Sequence, residues 1–296
     1  MKKLLFGCVP LFALTAIGSA SAADLRMPVK APPMAPAFSW TGCYIGGYAG
    51  GAWSESAGAV FTDQGQNGLG PAGSTAGFQS YSGGATAARI VSPHSWNAKL
   101  DGSFIGGGTV GCNWQAAGSP FVFGAEGEIG YMRLHGQAFD PATIVSTQTT
   151  LDVLGSAKVG DWYGMVTGRL GYAWDRTLLY AKGGVAFVPT RASVIDTCQN
   201  VGAGCGNWLI STSGSNTVTT WTAGGGIEWA LAGNWSVKGE YMFIALGDDN
   251  GFQRCGTVTT PSGAPLGGGP FCFNNAFGGI HTAKLGLNYR FGPTSY

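Results

Sequence analysis

The stretch Phe38–Trp53, "FSWTGCYIGGYAGGAW", mixes aromatic residues with glycines. Its odd-numbered and even-numbered positions differ in character. We assign Cys43, Ile45, Ala49 and Trp53 to an outward face and Tyr44, Gly46, Tyr48 and Gly50 to an inward face. Because successive side chains of a strand point to opposite faces, this alternation predicts a β-strand. Glycine weakens a strand interior, so its repeated use indicates a crowded place, such as the inside of a narrow barrel.

Seven further segments show the same alternation over about ten residues each. With the first, the predicted strands are Trp40–Trp53, Phe104–Gln115, Phe121–Tyr131, Tyr163–Trp174, Thr177–Phe187, Thr219–Leu231, Asn234–Ala245 and His281–Phe291. Short connections (116–120, 175–176 and 232–233) alternate with long ones (54–103, 132–162, 188–218 and 246–280). This arrangement is typical of outer-membrane barrels. The sequence therefore predicts an all-β fold: an eight-stranded antiparallel transmembrane β-barrel with short periplasmic turns and long extracellular loops.

The composition and the N-terminal residues indicate export to a membrane. Only 10% of the 296 residues are charged, whereas soluble domains have about 25%. Residues 1–22 contain two lysines, an apolar run and the A-x-A site Ala20–Ala22, which predict a secretory signal peptide. Residues 23–39, with four prolines, predict an extended periplasmic lead, and residues 40–296 the barrel. The formal net charge of +1 gives no electrostatic argument for nucleic-acid binding.

The polar faces of the predicted strands carry both signs of charge. The residues are Glu126, Glu128, Glu228 and Glu240 with Arg169, Lys182, Lys238, Lys284 and Arg290. Eight strands enclose just enough space for side chains, and an unpaired buried charge is costly. We therefore predict that these residues form a charge network that plugs the lumen.

Aromatic residues at the strand ends predict a girdle at the periplasmic membrane interface. They lie next to the short turns or the termini: Trp40, Trp114, Tyr131, Trp174, Trp229, Trp235 and Phe291. The alternative is a soluble β-sandwich with its polar face in water, but that fold does not account for these aromatic residues.

The same segments resemble a known family. The first stretch, "FIGGGTVGCNWQ" (104–115), "GRLGYAWDRTLLYAKGGVAF" (168–187) and "LGLNYRF" (285–291) are similar to the small outer-membrane β-barrel proteins of alphaproteobacteria. That family is often filed as porins and includes surface antigens and hemin-binding members. The resemblance covers all eight strands and implies an OmpA-like barrel in the bacterial outer membrane, inserted by the barrel-assembly machinery through its last strand. Two features depart from the family pattern: Cys43 and Cys112 stand at positions that are usually aromatic, and Phe291, which resembles the terminal aromatic residue of the assembly signal, is followed by Gly292–Tyr296.

The mature chain has an even number of cysteines, as expected for disulfides in an oxidising compartment. Cys43 and Cys112 lie near the periplasmic ends of adjacent predicted strands. The other cysteines fall two by two in the third and fourth long loops. We predict the pairs Cys43–Cys112, Cys198–Cys205 and Cys255–Cys272.

The chemistry-bearing residues do not predict an enzyme, a metal site or a bound cofactor. The cysteine spacings do not match zinc motifs, no Ser–His–Asp arrangement is readable, and Glu126 and Glu128 lie beside cations. His94, His135 and His281 lie in long loops or at the loop end of a strand. Histidine can ligate haem iron, so hemin binding stays open beside the alternative that these are surface histidines with no ligand.

The functional prediction is a structural, surface-related protein that contributes to envelope integrity through a plugged barrel. The alternatives are a small-solute porin-like channel, or a hemin or adhesion receptor that acts through the loops. The predicted partners are outer-membrane lipid, the assembly machinery, and an extracellular ligand or host surface, with the barrel as a monomer.

Overall fold

The computed structural model describes residues 38–55, 58–66, 94–140, 153–198, 208–247, 252–260, 262–265 and 271–291. These residues form β-strands and contain no helix that could cross a membrane. The strands are β1 (Gly42–Ser54), β2 (Ala59–Gln66), β3 (His94–Ala98), β4 (Ser103–Gln115), β5 (Phe121–Phe139), β6 (Val153–Gly160), β7 (Tyr163–Trp174), β8 (Thr177–Cys198), β9 (Trp208–Ala230), β10 (Trp235–Ile244), β11 (Phe252–Gly256), β12 (Val258–Thr259), β13 (Phe271–Phe277) and β14 (Ile280–Phe291). The predicted signal peptide and nearly all of the predicted lead lie outside the described residues.

Eight strands pair in a closed antiparallel ring in the order β1–β4–β5–β7–β8–β9–β10–β14, with β14 paired back to β1. Each of the eight predicted strands is present at its place. Burial alternates along them, and Tyr44 and Tyr48 of β1 point inward, between exposed neighbours such as Ile45. The period-2 pattern of the sequence therefore reports the two faces of the ring correctly.

Three tight connections join consecutive strands at one end of the ring, which we call the short-turn end. Each contains a residue with a positive φ: Gly118 (74°), Asp175 (54°) and Gly233 (68°). Glycine and aspartate tolerate this left-handed conformation, so the chain can reverse within a few residues. The predicted short turns are confirmed.

At the opposite, long-loop end the strands extend well past their predicted limits. β5 continues to Phe139, and β8 and β9 form one long hairpin that pairs from Thr177–Trp229 to Cys198–Trp208. β6 and β7 together line the edge of β5 and are separated by a bend at Asp161, whose φ is 93°. The long connections are thus partly built from regular strand.

A second sheet of four strands, in the order β11–β13–β2–β3, comes from the first and last long connections. Its apolar side carries Phe61, Trp96 and Phe273, with Phe61 and Trp96 stacked at 5.5 Å between ring centroids. These side chains belong to the same buried cluster as inward residues of the ring, such as Met132 and Val188. The sheet therefore packs over the interior of the ring at the long-loop end.

Exposed and partly exposed aromatic rings form two belts on the outward face of the ring. The short-turn belt consists of Trp114, Phe121, Phe123, Tyr172, Trp174, Trp229, Trp235, Tyr289 and Phe291. The long-loop belt consists of Trp53, Phe104, Tyr131, Trp162, Phe187, Trp221, Phe243 and His281. Between them the face is apolar.

The predicted girdle is wrong at two of its residues. Tyr131 lies in the long-loop belt, because β5 begins at Phe121 and Tyr131 is at the far end of its pairing with β4. Trp40 is only 2% exposed and packs inward at the short-turn end with Phe38, Val122 and Leu178. Trp40 lies in an irregular segment before β1, where the residues do not alternate between two faces. The sequence therefore gives no sign that Trp40 points inward.

Candidate functional site: the interior of the ring

Tyrosine side chains lie inside the ring over the neighbouring strands, where glycines make room for them. The Tyr48 hydroxyl is 2.6 Å from the Tyr163 hydroxyl and 3.3 Å from the Ile129 carbonyl oxygen to which it donates. A Cβ added at Gly107 or Gly130 would overlap the Tyr48 hydroxyl. The glycines of the ring are therefore needed for packing, as their pattern in the first stretch of sequence indicates.

Three lysines and three glutamates form one buried group in the middle of the interior. Lys182 Nζ is 2.6 Å from Glu126 Oε1 and 2.9 Å from Glu240 Oε2. Lys284 Nζ is 2.7 Å from Glu128 Oε1 and 2.9 Å from Glu240 Oε1, and Lys238 Nζ is 3.1 Å from Glu126 Oε2. Because β5 and β10 lie on opposite sides of the ring, the contact between Glu126 and Lys238 crosses its whole width.

Arg169 and Glu228 form a second buried group closer to the short-turn end. Arg169 Nη2 is 2.6 Å from Glu228 Oε2, and Glu228 Oε1 also accepts hydrogen bonds from Ser236 Oγ at 2.5 Å and Asn288 Nδ2 at 2.9 Å. The Arg169 guanidinium lies over the Tyr180 ring at 3.6 Å from its centroid. The carboxylate is therefore fully solvated by protein donors, which offsets the cost of removing it from water.

Three tyrosine hydroxyls donate to carboxylate oxygens that the lysines also contact. Tyr44 donates to Glu126 and Tyr163 donates to Glu128, each at 2.6 Å, and Tyr180 donates to Glu240 at 3.0 Å. The sequence does not identify these tyrosines as partners of the carboxylates, because a tyrosine on an inward face is equally consistent with apolar filling. Their spacing opposite inward glycines is the signal that could have identified them.

Eight of the nine predicted network residues are brought together, and Arg290 is the exception. Arg290 Nη1 donates to the Ser39 carbonyl oxygen at 2.6 Å, and its guanidinium lies 4.7 Å from the Phe38 ring centroid. It thus holds the segment before β1 across the short-turn end instead of pairing with a carboxylate. The described network consequently balances four carboxylates with four cations: Glu126, Glu128, Glu228 and Glu240 against Arg169, Lys182, Lys238 and Lys284.

The free space that the described residues enclose inside the ring at the short-turn end is small. A cavity at the short-turn end, between Trp40, Asn113 and Glu228, has a volume of about 10 Å³, which is enough for about one water molecule. Carboxylate oxygens of Glu126, Glu128 and Glu240 lie within 4.8 Å of one another, a spacing that could suit a metal ion. Three lysine ammonium groups already occupy that space, so the geometry favours an ion-paired plug.

Two of the three predicted disulfides are present among the described residues. Cys43 and Cys112 lie directly opposite each other on β1 and β4, with Cα atoms 3.9 Å apart. Cys255 and Cys272 lie opposite each other on β11 and β13, with Cα atoms 4.0 Å apart. Cys205 lies outside the described residues, so the pair Cys198–Cys205 stays a prediction.

The three histidines occupy different strands. His281 is in the long-loop belt, where its ring packs between Trp53 and Tyr241 and Nδ1 is 2.6 Å from the Tyr241 hydroxyl. His135 is exposed on β5, with Nε2 3.8 Å from Asp101 Oδ2, and His94 begins β3. Two strands, β1 and β4, separate His281 from His135 in the ring, so these histidines do not form one site.

Comparison with known proteins decides the family. A model described as "Outer membrane protein beta-barrel domain" matches residues 11–291. The chain belongs to this outer-membrane β-barrel family. It is also 28% identical over 298 residues to the 31 kDa outer-membrane immunogenic proteins of Brucella melitensis and Brucella suis, covering 98% of this chain and 100% of each relative. The protein is therefore an outer-membrane protein of a Gram-negative bacterium.

The solved structures that resemble this outer-membrane protein do so weakly. The attachment invasion locus protein Ail of Yersinia pestis matches 86% of this chain and 100% of its own, with 12% identity and a TM-score of 0.33. A Pseudomonas aeruginosa FadL homologue matches 85% and 91%, with 10% identity and a TM-score of 0.23.

Proposed function

We propose that the ring is an eight-stranded transmembrane barrel, with the short-turn end in the periplasm and the second sheet at the cell surface. The distance along β1 from Cys43 to Trp53 is ten residues, or about 33 Å of strand. At the usual tilt of ~40° this spans about 25 Å, the height of the apolar band of outer-membrane barrels. The two aromatic belts would then lie at the two membrane interfaces.

The observation that carries the functional proposal is the filling of the ring from end to end. Phe38 and Trp40 close the short-turn end, the charge network occupies the middle, and the apolar cluster under the second sheet occupies the long-loop end. A filled barrel offers no path for solutes. We infer a structural role in envelope integrity, with the second sheet displayed to the surroundings.

A surface role is supported by the relatives. The Brucella proteins are named as immunogenic, which is the behaviour expected of a protein with an accessible surface. By this analogy the second sheet is the part of the chain that an antibody or a host surface would meet. The assembly machinery is expected to recognise β14, and the barrel is expected to be a monomer.

The test of the structural role is the phenotype of a deletion strain. We expect increased sensitivity to detergent, restored by the wild-type gene supplied on a plasmid. A deletion strain with unchanged detergent sensitivity would contradict the structural role.

The alternative of a hemin receptor has its own test. If the histidines bind no ligand, a hemin titration of the purified protein should give the same Soret band in the wild type and in each His→Ala variant. A Soret shift lost in His135→Ala but kept in His281→Ala would favour the receptor instead.

A further inference from the structure

A basic concavity lies on the outward face of the ring, just beyond the long-loop belt. It has a volume of about 610 Å³ and is lined by exposed or partly exposed side chains of β5, β6, β8 and β9. Three of its side chains are permanently charged: Arg133, Lys158 and Arg191. None of them belongs to the interior network, and the structural role proposed above does not use them.

The strand register places these side chains in rows. His135 on β5 lies opposite Lys158 on β6, which lies opposite Arg191 on β8, which lies opposite Ser215 on β9. Neighbouring strands are about 4.8 Å apart, so Lys158 and Arg191 are close like charges. Like charges directly opposite each other destabilise a sheet, and the carboxylate that pairs with Lys158, that of Asp161, forms no ion pair with Arg191 among the described residues.

A second row of hydrogen-bonding groups follows the first. It consists of Gln137, Ser156, Ser193 and Ser213, again directly opposite one another across β5, β6, β8 and β9. Hydroxyl and amide groups beside cations suit a ligand that carries both phosphate and sugar hydroxyls.

The acidic groups near the concavity leave two arginines unpaired. Asp161 pairs with Lys158 at 2.6 Å, and Asp101 is 3.8 Å from His135. The hydrogen bond from Lys158, together with the charges of Lys158, Arg133 and Arg191, holds the pKa of Asp161 below its usual value. Within the described part of the chain neither Arg133 nor Arg191 forms a side-chain ion pair.

The position of the concavity identifies the source of the anion. Arg133 follows the belt residue Tyr131 by two positions on β5, and Arg191 follows the belt residue Phe187 by four on β8. At about 3.3 Å per residue and the strand tilt of ~40° used above, the Cα atoms of these arginines lie roughly 5 to 10 Å beyond the belt residues. In an outer membrane this is the level of the phosphorylated sugars of the outer leaflet, and basic clusters at a membrane surface bind anionic headgroups.

We propose that the basic concavity binds the phosphorylated headgroup of a lipopolysaccharide molecule beside the barrel. The proposal rests on the orientation proposed above, with the long-loop end outside the cell. Bound lipid would neutralise Arg133 and Arg191 and anchor the barrel in the outer leaflet.

The test compares binding of rough lipopolysaccharide and its dephosphorylated form to the full mature protein in uncharged detergent. We expect tighter binding of the phosphorylated lipid, and a loss of at least about tenfold in affinity in Arg133→Ser/Arg191→Ser. Arg133→Lys/Arg191→Lys should retain binding, because it keeps the charges. Arg176→Ser removes an exposed arginine from a short turn and should match wild type, whereas Arg191→Ser alone should not.

Several results would overturn the proposal. The first is equal affinity for the two lipids, and the second is equal affinity of the wild type and Arg133→Ser/Arg191→Ser for the phosphorylated lipid. The third is full competition by inorganic phosphate at the same concentration as the lipid. The fourth is that only hemin binding, and not lipid binding, depends on these arginines. Labelling of Ser211→Cys, an exposed position on β9 two residues beyond Ser213 and outside the lining of the concavity, on intact cells with a membrane-impermeant maleimide separates the causes. Absence of label would overturn the orientation, whereas labelling without phosphate-dependent binding would overturn this site alone.

Discussion

At the scale of the residue, Tyr48 shows why tyrosine and glycine occur together in the first stretch of the sequence. Its side chain lies over the neighbouring strands β4 and β5 and its hydroxyl meets Tyr163 on β7, and Gly107 and Gly130 leave the space that the hydroxyl occupies. The alternation of the sequence predicts that Tyr48 and the glycines point inward. Which glycine faces which tyrosine depends on the register around the closed ring, which no single strand encodes.

The first prediction concerns two glycines of β5 on opposite faces. In Gly130→Ala the new methyl group would overlap the Tyr48 hydroxyl, so we expect a loss of about 1–3 kcal/mol in unfolding free energy. Gly127→Ala is the control, because the nearest atoms to its Cβ are at 3.8 and 3.9 Å. Urea unfolding in micelles, followed by tryptophan fluorescence, measures both. Equal midpoints for the two variants would show that the interior is loosely packed.

The second prediction concerns the buried pair of Arg169 and Glu228. Arg169→Met leaves the carboxylate without its cation, and breaking a buried pair in this way costs about 3–5 kcal/mol. Arg169→Met/Glu228→Gln removes both charges and should recover much of the loss, since Ser236 and Asn288 can still hydrogen-bond the amide. Arg176→Met, exposed in a short turn, should change stability little. A single variant as stable as wild type would mean that the pair is hydrated.

At the scale of the element, the eight ring strands could be predicted and the second sheet could not. Ring strands have one apolar face toward lipid, so their alternation is strong. β2, β3, β11 and β13 are too short to show a sustained alternation, and the apolar residues of β2, β3 and β13 join the buried cluster of the ring across long stretches of sequence. β6 and the parts of β8 and β9 nearest the long-loop end could not be predicted either. Their inward residues are apolar and their outward residues are polar, which is the reverse of the pattern in the membrane-facing parts of the ring.

The predicted strand ends at Phe187, whereas β8 continues to Cys198, because the apolar and polar faces of β8 exchange sides after Phe187. Up to Phe187 the outward residues are apolar, as in Leu179 and Val185, and the inward Lys182 is charged. Beyond it Ala192 and Val194 are buried inside and Arg191 is exposed. A search for one continuous pattern stops where the surroundings change from lipid to water.

The third prediction compares the disulfide of the second sheet with the disulfide of the ring. Cys255→Ser/Cys272→Ser opens a loop with a sequence separation of 17, worth about 3 kcal/mol of local stability. We expect faster proteolysis of the second sheet on intact cells, with the ring still folded. Cys43→Ser/Cys112→Ser is the control, because β1 and β4 pair over their length without it. Unchanged proteolysis in the first variant would show that packing alone holds β11 and β13.

At the scale of the whole molecule, the ring is filled by layers of different chemistry. An aromatic and arginine closure at the short-turn end is followed by a neutral set of four carboxylates and four cations, and then by an apolar core under the second sheet. The sequence predicts the charged layer but not the apolar one, because the latter is formed jointly by the ring and the long connections.

The most direct test of the account is conductance of the purified, folded protein in planar lipid bilayers. A filled ring predicts that insertion produces no stable conductance of the nanosiemens order that wide aqueous barrels give, at either polarity. The same recordings should be made on Gly130→Ala as a packing control. A steady, reproducible pore of that size in the wild-type protein would contradict the plugged interior, and with it the structural role proposed for the barrel.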